Sequence, residues 1–391
     1  MITRLYVDNF RTLVNFPIQF EPTTLLLGAN GSGKSSVFDV LRRLRNFIGG
    51  ETRLAETFPS SDLTHWQKKL CQTFELDMKA KEGNFTYKLI IEFFGDLTKS
   101  KISEEALTLD GTTLFYCKDA EAQLYNDNGH KGSVLTFDWT QSGVGFLQER
   151  KDNKKLTAFK KHIENIVVVR PAPNLMQSES QSEEEHLSLH MENFAAWYRY
   201  LTLEKQSAVR EMEAELPNSL SGFKELNSAP AGERRILKAN FQALNDAKAH
   251  AYPFASLSEG QRMLIAVYAL IIGNKGRNAC LFIDEPDNFI SIAEIQPWLR
   301  LFVDNCGEDE SLEQVVLISH HPEVIDYSCF GIPLWFEREP ESHTRIKFME
   351  QNGDTKNEKL EKLLQENGFG EYTWLAKNIL PLSQIIARKL I

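Results

Sequence analysis

The amino-acid sequence predicts an α/β fold with a mixed or parallel core sheet, an antiparallel β lobe and a helical insertion. A glycine-rich turn at residues 28–33 follows a strand-like run and precedes apolar residues at helical spacing between Val37 and Ile48. Two continuous apolar runs, 279–283 and 314–318, are separated by a helix-length segment, which is typical of a βαβ unit. These features predict a core in which strands alternate with helices.

Residues 73–170 have a different pattern, in which strand-like runs are joined by short turns. The dipeptides Asp-Gly at 110–111 and Asn-Gly at 128–129 are typical of hairpin turns between such runs. The section ends with a run of four apolar residues at 166–169. We therefore expect an antiparallel β section that closes with this last strand.

The chain divides into four segments along its length. We expect an N-terminal lobe at 1–173, an acidic loop and helical insertion at 174–256, a C-terminal lobe at 257–350 and a C-terminal helical extension at 351–391. The insertion begins with a Ser-, Glu- and Gln-rich stretch (174–190), a composition typical of a mobile loop. The extension contains a charged amphipathic run (357–366) and a more apolar region after Tyr372.

Composition and charge exclude several classes of protein. The 391 residues carry 44 Lys and Arg against 54 Asp and Glu, and this net charge of −10 argues against a surface that is basic throughout. Five scattered cysteines without a CxxC pair predict neither a disulfide framework nor a zinc site. The N-terminus reads as a strand without a signal-peptide core, and no apolar run reaches about 18 residues, so we expect a cytoplasmic protein.

The first chemical motif is the segment Gly28–Ser35, which matches G-x-x-x-x-G-K-[ST] between a strand and a helix. Its glycines let backbone N–H groups turn toward a polyphosphate, and the helix N-terminus adds positive potential. Lys34 is expected to reach the β- and γ-phosphates, and Ser35 to ligate Mg²⁺. The residues expected to bind the nucleotide here are Asn30, Gly31, Ser32, Gly33, Lys34, Ser35 and Ser36.

The second motif is a pair of adjacent carboxylates, Asp284 and Glu285, at the end of the apolar run 279–283. Adjacent side chains at a strand end diverge and can act separately. Asp284 is expected to hold the Mg²⁺ shell, and Glu285 to orient and deprotonate the attacking water. The alternative is a pair of solvated acids, which is common when such residues occur in isolation.

Two further motifs lie next to apolar segments: one precedes a long apolar run, and the other follows one. Ser258 and Gly260 stand before a long apolar run, where Ser258 could act only as a helix cap in an S-x-x-Q capping box. His320 directly follows the run 314–318, where a histidine can donate a hydrogen bond to a γ-phosphate. The alternative for His320 is a surface histidine without a ligand.

The four motifs in this order resemble the ABC-type ATPase head of the SMC, RecF and OLD group. The opening stretch LYVDNFRTL resembles the first strand and turn of these heads, and LSEGQR resembles their LSGGQ signature with Glu259 in place of a glycine. The resemblance implies ATP and Mg²⁺ as ligands, a head-to-tail dimer and a histidine, His320, that senses the γ-phosphate. Ser258 and Gly260 of one subunit would face the nucleotide held by the other, with residues 289–291 across the dimer seam.

Two further parts of the resemblance are less complete. Arg11, in the opening turn, is expected to contact the nucleotide. The group also uses a glutamine that reads Mg²⁺, for which Gln148 and Gln177 are both candidates.

Segment lengths favour a compact member of the group. Roughly 220 residues separate Ser35 from Leu257, and Pro and Gly interrupt their helical part, so a long coiled coil is not expected. About 65 residues follow the histidine motif, too few for the Toprim nuclease domain of OLD proteins, and they contain no D-x-D or HNH pattern. The layout resembles stand-alone anti-phage ATPases such as PtuA and AriA, in which a separate protein supplies the nuclease.

The charged and apolar patches of the sequence can each be explained without a nucleic-acid or membrane partner. Residues 150–162 carry six Lys or Arg and one Asp, and three arginines (42, 43 and 45) follow the glycine-rich turn. We favour a solvated surface over DNA or RNA contact for both. The acidic stretch 179–185 is expected to be solvated, and the apolar residues between Leu375 and Leu390 to form core or a subunit interface.

Three functions are compatible with these motifs. The leading hypothesis is an ATPase that senses infection or scaffolds and controls a partner effector nuclease in anti-phage defence, with slow hydrolysis when alone. The alternatives are a RecF-like repair ATPase that binds DNA, and a nucleotide-bound structural platform with negligible turnover. An ABC transporter subunit is disfavoured because the β-rich section and the insertion do not fit one.

Overall fold

The computed structural model describes residues 1–242, 248–307, 312–326, 333–340 and 342–348. Its strands are β1 (Ile2–Asp8), β2 (Phe16–Gln19), β3 (Thr23–Gly28), β4 (Cys71–Ala80), β5 (Gly83–Phe94), β6 (Lys99–Leu109), β7 (Thr112–Lys118), β8 (Glu121–Tyr125), β9 (Lys131–Thr136), β10 (Ile166–Val169), β11 (Glu179–Ser180), β12 (Phe223–Ala231), β13 (Arg234–Phe241), β14 (His250–Pro253), β15 (Ala279–Asp284), β16 (Leu312–Ile318), β17 (Leu334–Glu337) and β18 (Arg345–Phe348). Its helices are α1 (Lys34–Ile48), α2 (Leu54–Thr57), α3 (Gly143–Phe146), α4 (Lys154–Glu164), α5 (Phe194–Glu204), α6 (Gln206–Glu215), α7 (Glu259–Gly273), α8 (Ile292–Val303) and α9 (Pro322–Asp326).

A six-stranded sheet in the order β10-β15-β16-β3-β17-β18 forms the centre of the fold. All its pairs are parallel except β17–β18. Alternate residues of its strands enter two different cores: Leu26 and Phe282 pack with α1, whereas Leu27 and Ile283 pack with α7. Because both faces are covered, these strands are apolar at nearly every position, as the sequence predicted.

An eight-stranded antiparallel sheet in the order β2-β1-β4-β5-β6-β7-β8-β9 lies on the other side of α1. In β4 and β5, buried residues alternate with more exposed ones, and the buried set includes Phe74 and Leu89. Helix α1 contributes Val37, Leu41 and Leu44 to the same core. The predicted α/β fold with an antiparallel β lobe is therefore confirmed.

A buried glutamine, Gln314 in β16, joins the two sheets. Its side-chain amide donates to the carbonyl oxygens of Ile2 (2.8 Å) and Glu21 (3.1 Å), and its carbonyl oxygen accepts from the N–H of Ile2 (3.0 Å). These bonds hold the start of β1, in the antiparallel sheet, against the central strand of the parallel sheet. A polar residue inside an otherwise apolar strand is thus explained by three backbone partners.

The apolar run at 166–169 does not close the antiparallel section. It forms β10, which pairs in parallel with β15 from Ile166↔Cys280 to Val169↔Ile283. The chain between the two strands includes α5, α6 and α7 and provides the crossover that a parallel pairing requires. The prediction from sequence order was wrong because burial on both faces, and not adjacency along the chain, decides the sheet of a four-residue apolar strand.

Among its described residues, the insertion predicted to be helical contains two α-helices, α5 and α6, and two short 3-10 turns, and strands make up much of the remainder. Strands β12 and β13 form a hairpin around Gly232, and β11 and β14 pair with the other edge of β13, near its start and its end respectively. In β13 the buried residues Leu237 and Ala239 alternate with more exposed ones, which is the period of a strand. The helical periodicity of the first half therefore does not extend through residues 223–253.

The acidic stretch 179–185, expected to be solvated, is held by ion pairs. Glu179 pairs with Arg234 of β13 at 2.8 Å, and Glu183 pairs with Arg199 of α5 at 2.5 Å. Glu185 pairs with Arg277, in the turn before β15. These pairs connect the loop to the insertion and to the edge of the parallel sheet.

The predicted C-terminal extension, including the run 357–366 and the apolar residues up to Leu390, lies outside the described residues. In the part of the chain that is described, no helix is long and apolar enough to cross a membrane.

We predict that Gln314→Leu lowers the free energy of unfolding by about 2–4 kcal/mol, because it removes the side-chain partner of the buried N–H and carbonyl groups of Ile2 and one of the partners of the Glu21 carbonyl. Urea denaturation measures this change. Gln296→Leu is the control, since Gln296 is exposed and its amide bonds only to Glu323 across the surface. Equal, small effects of the two substitutions would contradict a joining role for Gln314.

Candidate functional site

The carboxyl ends of the parallel strands meet at one edge of the central sheet, where α/β folds bind their ligands. The glycine-rich segment follows β3, and the acidic pair ends and follows β15. His320 follows β16, and Arg170 follows β10. Strand register therefore brings together residues that are far apart in sequence, as in the pairing of Leu26 in β3 with Ile318 in β16.

The segment Gly28–Ser35 forms a loop that opens helix α1. Gly33 caps the helix with a φ of +105°, a left-handed conformation that glycine adopts without strain. A Cβ at this position would also lie 2.4 Å from the hydroxyl oxygen of Thr344, which donates to the carbonyl of Ser32 at 2.8 Å. Thr344 precedes β18, so the end of the described chain supports this loop, a contact that the sequence did not reveal.

The Lys34 ammonium group lies inside this loop and is only 6% exposed. It donates to the carbonyl oxygens of Gly28 (2.6 Å) and Ala29 (3.1 Å). Burial lowers the pKa of Lys34, and the carboxylates of Asp284 and Glu285 act in the opposite direction. The arrangement gives a desolvated cation whose charge is balanced by the acidic pair.

The predicted metal ligands Ser35 and Asp284 lie close enough to each other for the Ser35 hydroxyl to lower the pKa of Asp284. Asp284 is buried, and burial raises its pKa, whereas the Ser35 hydroxyl and the Arg170 guanidinium lower it. A hydroxyl and a carboxylate are oxygen donors of the kind that Mg²⁺ prefers. In addition, the hydroxyl oxygen of Ser32 is buried without a partner among the described residues. Both observations fit a site built for a metal-bound polyphosphate.

Glu285 turns away from the strand that carries it. Its φ is +54°, and its N–H donates to the carbonyl of Ile318 at 2.8 Å, which fixes it against the end of β16. Its side chain is partly exposed and accepts from the Asn288 amide at 2.9 Å. The two adjacent acids therefore diverge as predicted: Asp284 is buried beside Ser35, and Glu285 faces the solvent side of the edge.

His320 lies at the surface of the same edge. Partial loss of hydration and the nearby ammonium of Lys34 lower its pKa, while Glu285 and Asp287 raise it. Ser319, just before it, is buried close to Asp287: burial raises the pKa of Asp287, and the Ser319 hydroxyl lowers it. The histidine loop is thus joined to the segment that follows β15.

Ser258 begins helix α7 as a capping box: its hydroxyl accepts from the N–H of Gln261 (3.2 Å), and the Gln261 side chain accepts from the N–H of Ser258 (3.0 Å). The expected capping box is therefore present, and within one chain Ser258 acts as the cap of α7. A Cβ on Gly260 would lie 2.6 Å from the carbonyl oxygen of Phe289. Within one chain, the signature glycine therefore packs against the segment after β15 rather than against the glycine-rich loop.

Arg170 is a site residue that the sequence did not single out. Its guanidinium lies 3.9 Å from a carboxylate oxygen of Asp284 and 3.8 Å from one of Glu285. Half of its side chain is exposed, so the group can move toward a ligand. The available signal was the position of Arg170 directly after an apolar run, but that run was assigned to the antiparallel section.

Other predicted site residues have contacts elsewhere. Arg11 pairs with Asp62 (2.7 Å) and Asp39 (3.0 Å) beside α1, and its contact with a nucleotide stays a prediction. The backbone N–H of Gln177 donates to Glu192, and the carbonyl of Gln148 accepts from Asn153. These contacts do not identify either glutamine as the metal-reading one.

The basic stretch 150–162 uses several of its charges within the chain. Lys160 donates to the carbonyls of Gly145 (2.7 Å) and Leu147 (3.0 Å), and Lys155 donates to the carbonyl of Asp127 (2.8 Å). Burial lowers the pKa of Lys160. Part of the stretch therefore ties α4 to neighbouring loops, which favours the structural interpretation over nucleic-acid contact.

Comparison with known proteins agrees with this geometry. The sequence model of the family described as "AAA domain, putative AbiEii toxin, Type IV TA system" matches residues 23–326. No curated protein has a matching sequence. A crystal structure of an SMC head bound to the C-winged helix domain of ScpA has 14% identity and a TM-score of 0.56, covering 90% of this chain and 98% of that one. The SMC head domain from Thermotoga maritima has 14% identity and a TM-score of 0.47, with 89% and 99% covered.

We predict that Gly260→Ala lowers the free energy of unfolding by about 1–3 kcal/mol, because its methyl group would displace the Phe289 backbone. A glycine-to-alanine change that fits its site would have the opposite sign, since alanine favours the helix and restricts the unfolded chain. Denaturant unfolding measures the stability, and hydrogen exchange should become faster near Phe289. Gly132→Ala is the control because its new Cβ would make only ordinary contacts of 3.5 Å or more. If Gly260→Ala stabilised the protein, the short distance between Gly260 and the Phe289 carbonyl would not restrict the side chain at position 260.

Proposed function

The chain belongs to the AAA domain family that its residues 23–326 match, with the fold of an SMC-type ATPase head, and we propose that it binds and hydrolyses ATP at the edge described above. The observation that carries this proposal is the convergence of Lys34, Ser35, Asp284 and Glu285 at the carboxyl ends of the parallel strands β3 and β15, which are separated by β16. Each of these groups has the chemical character that phosphoryl transfer to water requires.

The loop at 30–36 would hold the triphosphate through its backbone N–H groups and the N-terminus of α1. Lys34 would exchange its contacts with the loop carbonyls for oxygens of the β- and γ-phosphates. Ser35 and Asp284 would hold Mg²⁺, which neutralises phosphate charge when it is bound. Support for this metal comes from the oxygen-rich pair itself and from the desolvation of Asp284.

Glu285 would orient the attacking water and accept its proton, since its carboxylate faces the open side of the edge. His320 would donate a hydrogen bond to the γ-phosphate; its lowered pKa favours the neutral ring, which keeps one N–H for this purpose. Arg170 is close enough to both carboxylates to share this space and to donate to the same phosphate. The site thus combines positioning with charge stabilisation.

We also propose that two chains dimerise head-to-tail, so that the signature of each completes the nucleotide site of the other. The support is an exposed surface in which the N-terminus of α7 adjoins the segment after β15. Phe289 (55% exposed) and Ile292 (64% exposed) are large apolar side chains on this surface. Ser258, Gly260 and residues 289–291 would then face the partner.

A defence role is the finer part of the proposal. The ATPase would control a separate effector nuclease, and Glu259 in place of a signature glycine would keep hydrolysis slow until the partner acts. The compact insertion, without a long coiled coil, supports such a scaffold, and the family description names a toxin. Plaque assays on cells that carry the chain with its neighbouring genes test this role; protection that persists with Lys34→Ala would contradict it.

We predict that Glu285→Gln leaves ATP binding intact but lowers phosphate release by about 100-fold or more, because the general base is lost. The variant should then accumulate as an ATP-bound dimer, and light scattering detects the dimer. Glu121→Gln, at an exposed position at the start of β8, is the matched control. Wild-type turnover by Glu285→Gln would show that another group activates the water.

We predict that two inactive variants, Lys34→Ala and Ser258→Arg, restore activity when they are mixed. Each mixed dimer has one site in which an intact Lys34 faces an intact signature, so an equimolar mixture should recover about a quarter of the wild-type rate. Steady-state phosphate release measures this recovery. If the mixture is as inactive as its components while both variants remain folded, the composite site is wrong.

A further inference from the structure

An exposed tryptophan, Trp66, lies near the glycine-rich loop and has no part in the chemistry above. Its side chain is 40% exposed, in the connection between α2 and β4. The guanidinium carbon of Arg338 lies 5.8 Å from the centre of its ring, within the range of a cation–π contact. Arg338 follows β17, which pairs with β3, so two distant segments meet here.

Arg338 connects Trp66 to the phosphate-binding loop. One of its terminal nitrogens donates to the carbonyl oxygen of Gly31 at 3.2 Å, and its Nε donates to the carbonyl of Ser342 at 3.0 Å. The planar cation therefore lies between the tip of the loop and the indole. Any ligand whose phosphates occupy the loop would have its remaining part within reach of this pair.

The segment that carries Trp66 is fixed to the opening turn of the chain. The Asn9 side chain donates to the carbonyls of Lys69 (2.7 Å) and Cys71 (2.9 Å) and accepts from the N–H of Thr64 (3.2 Å). The Thr64 hydroxyl donates to the carbonyl of Arg11 at 2.8 Å. Because the backbone on both sides of Trp66 is held in this way, ordering of the segment costs little further entropy when a ligand stacks on the exposed indole.

We propose that Trp66 and Arg338 form the platform for the base of the bound nucleotide. This inference rests on the proposed ATP site and names the part of the ligand that the phosphate loop does not read. An exposed indole and a guanidinium plane both stack on the π-face of a base, and such stacking depends on ring area more than on hydrogen-bonding edges. The platform should therefore favour purine over pyrimidine nucleotides and discriminate weakly between ATP and GTP.

Binding of ATP, GTP, CTP and inorganic tripolyphosphate by calorimetry tests the platform. We expect Trp66→Ala to weaken ATP and GTP about 5- to 100-fold, to weaken CTP less, and to leave tripolyphosphate unchanged, since that ligand has no base. Trp66→Phe should retain most of the affinity, and Arg338→Gln should lose part of it. Trp139→Ala is the matched control, because Trp139 is 49% exposed on the antiparallel lobe.

The outcomes separate this inference from the proposed ATP site. Equal affinity of wild type and Trp66→Ala for ATP would overturn the platform while leaving the phosphate site intact. Equal losses of ATP and tripolyphosphate would also overturn it, because they would assign Trp66 to loop structure rather than to base stacking. If the wild-type chain binds neither ATP nor tripolyphosphate, whereas it remains folded, the proposed ATP site itself is wrong.

Discussion

The parallel register of β10, β15, β16 and β3 is the constraint on which the rest of the structure depends. Parallel strands end at the same edge, so the residues that follow them share one space, however far apart they are in the sequence. The register is stable because both faces of the sheet are buried, one against α1 and the other against α7. A shift of one residue would exchange these two faces and would also move Asp284 away from Ser35.

Charge balance at this edge follows from burial. A desolvated ammonium group, that of Lys34, is stable there because two carboxylates lie near it, and the buried carboxyl of Asp284 is stabilised in turn by Ser35 and Arg170. The buried cation without the carboxylates, or the buried carboxylate without the cations, would carry a large desolvation cost. The overall acidity of the chain therefore does not conflict with binding a polyanion, since the cations and N–H groups that face it are local and oriented.

Much of the candidate site at the edge of the parallel sheet could be predicted because its motifs are short and contiguous. The loop around Lys34 and the Asp284–Glu285 pair each fit within a few residues, and the strand or helix beside them has its own periodic signal. Arg170 and Trp66 could not be found in this way. Arg170 is placed by the pairing of β10 with β15, and the Arg338 partner of Trp66 is placed by the pairing of β17 with β3; a single sequence does not specify pairings between strands so far apart. The hairpin of β12 and β13 is local, and it was predicted as helix because the alternation of buried residues in β13 was missed.

The segment after β15 connects the two functions that one chain would serve in the proposed dimer. Glu285 accepts from Asn288, and the carbonyl of Phe289 lies so close to Gly260 that a side chain there cannot fit. Arg262, two residues further along α7, donates to the carbonyl of Pro173 at 2.6 Å, close to Arg170 in the chain. Movement of the acidic pair during hydrolysis would therefore shift the N-terminus of α7 by two short routes. Since that N-terminus would face the partner's nucleotide, the packing at Gly260 would provide a direct physical link between the two proposed ATP sites.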